Sequence, residues 1–249
     1  MDHHQGEGLK ALSEGDHRSQ QNIGRNEFRN PVETLEFFGL TPNMTVVEIS
    51  PGGGWYTEIL APFVRDQGKL YAASYDPSVS DGRARSIRMI HEKFHANPEI
   101  YSKVTLNVFD KGAYDMAPIG SADMVLTFRN LHNWMTGMYD RDALAAIFNT
   151  LKPGGVLGFV DHRGDPKKEF KELLGTGYVN QDYIINLAKE VGFEFEGSIE
   201  INANLKDTKD HPEGVWTLPP TFRLKELDHD KYKAIGESDR MTLKFRKPE

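Results

Sequence analysis

Short β-branched runs alternate along this chain with stretches whose apolar residues recur at helical spacing. The runs at 45–49 (TVVEI), 69–74, 104–109, 122–128 (ADMVLTF) and 156–160 read as strands. Between them, Ile59, Leu60, Phe63 and Val64 line one face of a helix opening at Trp55. A second helix covers 80–96, and Leu144, Ile147 and Phe148 mark a third over 140–151. Ahead of the first strand, Asn30-Pro31-Val32-Glu33 is a helix start: an Asn cap, Pro at the first helical position and an acid at the third. That helix runs to Phe38 and stops at Gly39. A helix over 178–191 ends at Gly192. A sixth strand over 193–201 follows, and a seventh, DRMTLKF at 239–245, is placed to pair with the sixth.

Strands and helices alternating at this pace predict an α/β protein with a doubly wound, mostly parallel sheet, whose ligands bind outside the carboxyl ends of the strands. The chemistry-bearing clusters sit at those ends: the turn Ser50-Pro51-Gly52-Gly53-Gly54, Ser74-Tyr75-Asp76, Asp110, Arg129-Asn130-Leu131-His132-Asn133-Trp134 and Asp161-His162-Arg163. The fold rule gathers them on one rim.

Two segments fall outside the alternation. Residues 1–29 form a polar arm without apolar period, expected to be partly disordered. Its Arg18, Arg25, Asn26 and Arg29 either remain a solvated face or fold over the site and offer guanidiniums to a carboxylate. Residues 202–238 are too long and too polar for a hairpin connection and read as a lid-like insert in a single domain spanning 30–249.

Composition narrows the partners. A formal charge of −7 opposes a general nucleic-acid binder, and no apolar run approaches the ~20 residues that span a bilayer. With no cysteine, disulfides and thiolate metal sites are excluded. A small-molecule partner is expected, and the oligomeric state is open. The start, MDHHQGEGLK, lacks a signal-peptide apolar core, so a cytoplasmic location is expected, or a periplasmic one had a signal been removed.

A strand ending in a glycine turn and a helix N-terminus suits a nucleotide-like cofactor. Gly52 and Gly54 match the first two glycines of a dinucleotide fingerprint, but Thr57 occupies the third site; Asp76 would be its ribose acid. The order Glu48-Ile49-Ser50-Pro51-Gly52-Gly53-Gly54 also resembles the first motif of class I S-adenosylmethionine-dependent methyltransferases. The segment LKPGGVL at 151–157 is similar to that family's turn into its fifth strand. RNPVETLEFFGL, VLTFRNLHNWM, VDHRG, INANLKDTKDHPEGVWTLPP and ESDRMTLKFRKP extend the likeness, from about Arg18 onward, to a bacterial group of predicted methyltransferases, some of which look exported.

The resemblance implies a seven-stranded sheet with an antiparallel last strand, S-adenosylmethionine as cofactor, and methyl transfer to a small-molecule acceptor. By the same likeness Glu48 holds the methionyl ammonium, the backbone of Ser50, Gly52, Gly53 and Gly54 passes under the cofactor, and Asp110 accepts from the adenine amino group. Ser74 stands where the family has a ribose-binding acid, so Ser74, Tyr75 or Asp76 takes that role. Ser50 replaces a glycine and needs a backbone angle that serine tolerates.

Methyl transfer depends largely on positioning, with a base needed only for a hydroxyl or protonated amine acceptor. His132 is the candidate base or, equally, a hydrogen-bonded structural residue. Asp161 orients His132 or His162, with no metal assigned. Arg129 serves cofactor or acceptor; Asn133, Trp134, Arg163 and Trp216 are the further acceptor candidates, Arg163 for an anionic one. Trp55 and Tyr56 are either core residues or a cation–π wall for the sulfonium.

Overall fold

The computed structural model describes residues 3–249. Seven strands, β1 Thr45–Ile49, β2 Lys69–Ser74, β3 Val104–Val108, β4 Ala122–Phe128, β5 Leu151–His162, β6 Glu194–Ile199 and β7 Arg240–Arg246, form one sheet in the order β3-β2-β1-β4-β5-β7-β6. β1 to β5 pair in parallel, while β7 runs antiparallel to both β5 and β6. The expected doubly wound sheet with an antiparallel closing strand is the observed one.

The helices are α1 His3–Ser13, α2 Gln20–Ile23, α3 Asn26–Arg29, α4 Pro31–Phe38, α5 Thr57–Val64, α6 Asp81–Ala96, α7 Pro98–Tyr101, α8 Leu131–Gly137, α9 Asp140–Thr150, α10 Phe170–Leu173, α11 Gln181–Val191 and α12 His229–Ile235. They cover both faces of the sheet. Alternation along β1 sends Val47 and Ile49 into one core with Trp134, Leu144, Phe159 and Phe245. Val46 enters the other, with Leu35, Phe38, Ile59 and Leu60. Glu48 shares the Val46 face and therefore meets α5.

Three local expectations are corrected. Of the arm, residues 1–2 lie outside the described residues, and the rest folds into α1, α2 and α3; α1 buries Leu9 against α4 and α5. Leu9 and Leu12 are too short an apolar series to register as a period. Asn30 does not cap α4 with its side chain: its backbone is left-handed at φ +38°, and Nδ2 donates to Ile201 O at 2.8 Å, tying α4 to the insert. The fifth strand begins at Leu151 rather than 156. The expected turn is absorbed as a register shift against β4, with Gly154 N–H donating to Lys247 O at 2.9 Å.

Candidate active site at the switch point

Strand order reverses between β1 and β4, and such a reversal leaves a crevice outside the carboxyl ends of the two strands. Two residues open it. Ser50 leaves β1 with φ +48° and Arg129 leaves β4 with φ +63°, both in the left-handed region that non-glycine residues enter only under constraint. Serine at position 50 thus adopts a glycine-like left-handed angle, not one that serine takes freely.

A cleft of about 360 Å³ fills the crevice, walled by Ser50–Gly53 of the turn, by Phe128, Arg129 and Asn130 at the end of β4, and by Asn22, Arg25 and Arg29 of the arm. A second cleft of about 460 Å³ lies between the turn and α6, with Ser74, Ser86 and Ile90 on its wall. The two share Gly52, Gly53 and Tyr75. A Cβ added at Gly52 or Gly53 meets nothing within 4 Å, so both glycines leave open space beside the turn, as a bound cofactor requires. Lys93 Nζ, on the wall of the second cleft, donates to Gly53 O at 2.7 Å and ties the turn to α6.

Glu48 lies beneath the turn, fully buried, accepting from Thr57 Oγ1 at 2.6 Å and lining neither cleft. Burial pushes its carboxyl up to about 7 against the opposing Thr57 hydrogen bond. Asp110 is also buried: its carboxylate takes Arg83 at 2.8 Å and the N–H groups of Asp76 and Lys111. Asp76 turns back on Ser78, whose N–H and hydroxyl it accepts at 2.8 and 2.6 Å. Of the residues carried over for a cofactor, Ser50, Gly52, Gly53, Ser74, Tyr75 and Arg129 line the two clefts. Gly54 supplies the turn's φ of +78° from beneath.

The arm folds over the site, the sharper of its two readings. Arg25 and Arg29 line the switch-point cleft, while Arg18 turns inward to Glu58 at 3.0 Å. Trp55 lines the switch-point cleft, and the guanidiniums of Arg18 and Arg29 already lie over its ring at 4.6 and 4.5 Å. Tyr56 stacks on Phe128 at 3.6 Å and donates to Arg29 O.

Beyond Arg129, helix α8 brings His132 to β5. Asp161 Oδ1 faces His132 Nδ1 at 3.3 Å and accepts from His162 N at 2.8 Å; Oδ2 accepts from Leu131 N at 2.8 Å. His162 lies 5.6 Å from His132 ring to ring, and its Nδ1 meets Ser238 Oγ at 2.5 Å. Burial, then Arg240, His132, Arg129 and Arg29, drive its pKa well below the usual histidine value, so it is neutral. The insert places Trp216 edge-on to His132 at 5.9 Å. His132, Asp161 and His162 present possible ligand atoms within 4.8 Å of one another. The guanidiniums that suppress His162 protonation would equally oppose a dication, and no metal is assigned.

Four acceptor candidates, Asn133, Trp134, Arg163 and Trp216, line neither cleft, nor do His132, Asp161 and His162. Trp134 is a core residue, 5.2 Å from Phe109. Arg163 is held by Asp239 at 3.0 Å and by Glu200, so it clamps the two flanks of the insert rather than an acceptor. Asn133 is exposed on α8 and lines neither cleft. Sequence reading placed Asn130 on the rim but gave it no role; its Nδ2 ties Ile49 O to Thr127 Oγ1 across the switch point, and Glu237, which pairs with Arg25 at 2.6 Å, it missed.

The fold recurs in solved structures. Over 97% of both chains, this chain matches an S-adenosylmethionine-dependent methyltransferase from Aquifex aeolicus with a TM-score of 0.61 at 15% identity. The N-methyltransferase NodS from Bradyrhizobium japonicum, solved with S-adenosyl-L-homocysteine, matches over 98% of this chain and 99% of its own, with a TM-score of 0.58 at 16% identity. This is the S-adenosylmethionine-dependent methyltransferase fold. The [4+2]-cyclase SpnF shares it (TM-score 0.62, 16% identity, 94% of this chain and 85% of that one), so the methyltransferase fold also houses other chemistry. No protein-family model and no curated sequence matches the chain. Among the described residues, no helix is long and apolar enough to cross a membrane.

Proposed function

We propose that this chain is an enzyme transferring a methyl group from S-adenosylmethionine to a small-molecule acceptor. The observation that carries the reading is the Ser50–Gly53 turn. It sits at the switch point of a methyltransferase fold, with a left-handed serine at its start and open space where two glycines lack side chains. The cofactor, when bound, supplies an electrophilic methyl carbon for in-line attack by the acceptor atom.

The chain's own residues then position and exclude water. The turn and Tyr75 form the floor common to both clefts, Arg25, Arg29 and Arg129 form a polar wall, and Trp216 closes over His132. His132 is the general base. With Nδ1–H donated to Asp161, Nε2 is left to take a proton from an acceptor hydroxyl or ammonium; Asp161 orients the ring and balances its charge. His162, held neutral and bonded to Ser238, positions this pair rather than titrating.

Calorimetric titration with S-adenosylmethionine, S-adenosylhomocysteine and NADH tests the reading. Binding of the first two alone supports it and is followed by an acceptor screen. NADH binding alone would favour a nicotinamide oxidoreductase. Binding of S-adenosylmethionine that no acceptor ever consumes would favour a non-catalytic binding protein.

A further inference from the structure

The switch-point cleft carries more positive charge than S-adenosylmethionine balances. Arg25, Arg29 and Arg129 line it, and no Asp or Glu among the described residues does. Behind them, a single carboxylate, Glu237, is shared by Arg25 at 2.6 Å, Arg29 at 3.7 Å and Arg240. Three guanidiniums thus share one carboxylate, which Arg129 feels only at longer range. Among the described residues, no carboxylate stands within ion-pair distance of Arg129, which lines the cleft. Arg29 is 4% exposed, and its Nε donates no hydrogen bond. Burial, followed by Arg129, Arg240 and Arg25, presses the Arg29 pKa down to about 7; burial and Arg240 lower Arg129 to about 10. Arg129 thus has no carboxylate of its own, and Arg25 and Arg29 share theirs with Arg240.

The cofactor does not provide enough of one. S-adenosylmethionine offers one carboxylate but also an ammonium and a sulfonium, so it enters as a net cation. A second anion is needed to neutralise the wall. We infer that the Arg25–Arg29–Arg129 cluster binds an oxyanion carried by the methyl acceptor, so that the substrate class is a small molecule bearing a carboxylate or phosphate. Planar guanidiniums present paired N–H donors that match either group. A neutral acceptor would leave desolvated guanidiniums unpaired, so the cluster selects against it. The inference rests on the methyl-transfer reading and adds the acceptor's charge to it.

The test uses full-length protein saturated with S-adenosylhomocysteine, so that the cofactor's own carboxylate is already in place. It is titrated calorimetrically with inorganic phosphate and, separately, acetate, at constant ionic strength set with chloride. Saturable binding of either anion is expected, the tighter one assigning phosphate or carboxylate. Arg129→Gln should weaken it tenfold or more. Arg25→Gln, at a more exposed position and safer for folding, should weaken it in the same direction. If S-adenosylhomocysteine binds and neither anion follows, the arginines serve the cofactor alone and the inference is overturned. Anion binding that neither substitution weakens overturns it too. Failure of S-adenosylhomocysteine itself to bind would instead refute the methyl-transfer reading, and the acceptor assignment with it.

Discussion

Ser50 and Arg129 end neighbouring parallel strands in the same left-handed conformation, and each donates its N–H outward, away from the other. Ser50 bonds Ala73 O on β2 and Arg129 bonds Val160 O on β5, both at 2.7 Å. The two strands part at these residues, and the crevice between them is the cleft. Nothing else in the sheet combines a reversal of strand order with two strained non-glycine residues facing each other.

That strain gives a first prediction. A β-branched side chain tolerates the left-handed region worse than serine does, so Ser50→Val should cost about 1–3 kcal/mol in urea unfolding. Ser50→Gly, free of that restriction, should unfold no more easily than wild type. Equal stability of Val and Gly variants would mean that the turn relaxes and is not held by the sheet.

The glycine cradle gives a second. Gly53 lacks the positive φ of Gly52 and Gly54, and a Cβ there meets nothing within 4 Å. Gly53→Leu should therefore fold with an unchanged melting temperature while losing affinity for S-adenosylhomocysteine by more than about a hundredfold, through occlusion rather than unfolding. Retained affinity would move the cofactor away from the turn.

The histidine pair gives a third. His132→Ala should leave S-adenosylhomocysteine affinity within a factor of about two and slow turnover of a hydroxyl or amine acceptor by about 10²–10⁴-fold. Loss of cofactor affinity instead would make His132 a binding or structural residue.

Acid stability gives a fourth. Burial alone would raise the Glu237 carboxyl, but Arg240, Arg25 and Arg29 outweigh it and hold the group at about 2, below its ordinary 4.5. A carboxyl depressed on folding stabilises the native state above its unfolded pKa. That stability, of order ~3 kcal/mol, is lost as pH falls from about 4.5 toward 2. His162, buried and neutral, acts higher. Its folded pKa lies below the unfolded value of 6.5, so stability declines as pH drops beneath that value. Urea midpoints measured against pH should show the lower stage directly and the upper one as a difference from His162→Gln, because Glu48, raised to about 7, gains stability over the same range as pH falls. His162→Gln should remove the upper stage and Glu237→Gln the lower; variant curves parallel to wild type would contradict both assignments.

Local pattern carried much of this molecule. The strand ends from Ile49 to His162 and the rim positions of Ser50, His132 and Asp161 follow from periodicity and the doubly wound rule, because each depends on residues near in sequence. The charged wall does not. Arg25 meets Glu237 across 212 positions, and Asn30 meets Ile201 across 171. No spacing encodes such pairs; ESDR before β7 reads as an ordinary polar turn until α3 is packed beside it. Trp134 and Arg163 misled for the same reason. Both occupy rim positions in sequence, but the Trp134 side chain turns into the core with Phe109, and the insert brings Glu200 and Asp239 to Arg163.

The most direct test of the account is calorimetric titration of the purified protein with S-adenosylhomocysteine, run beside NADH. One S-adenosylhomocysteine per chain, lost in Gly53→Leu, with no heat from NADH, is the predicted result. Binding of NADH without S-adenosylhomocysteine would contradict the central claim.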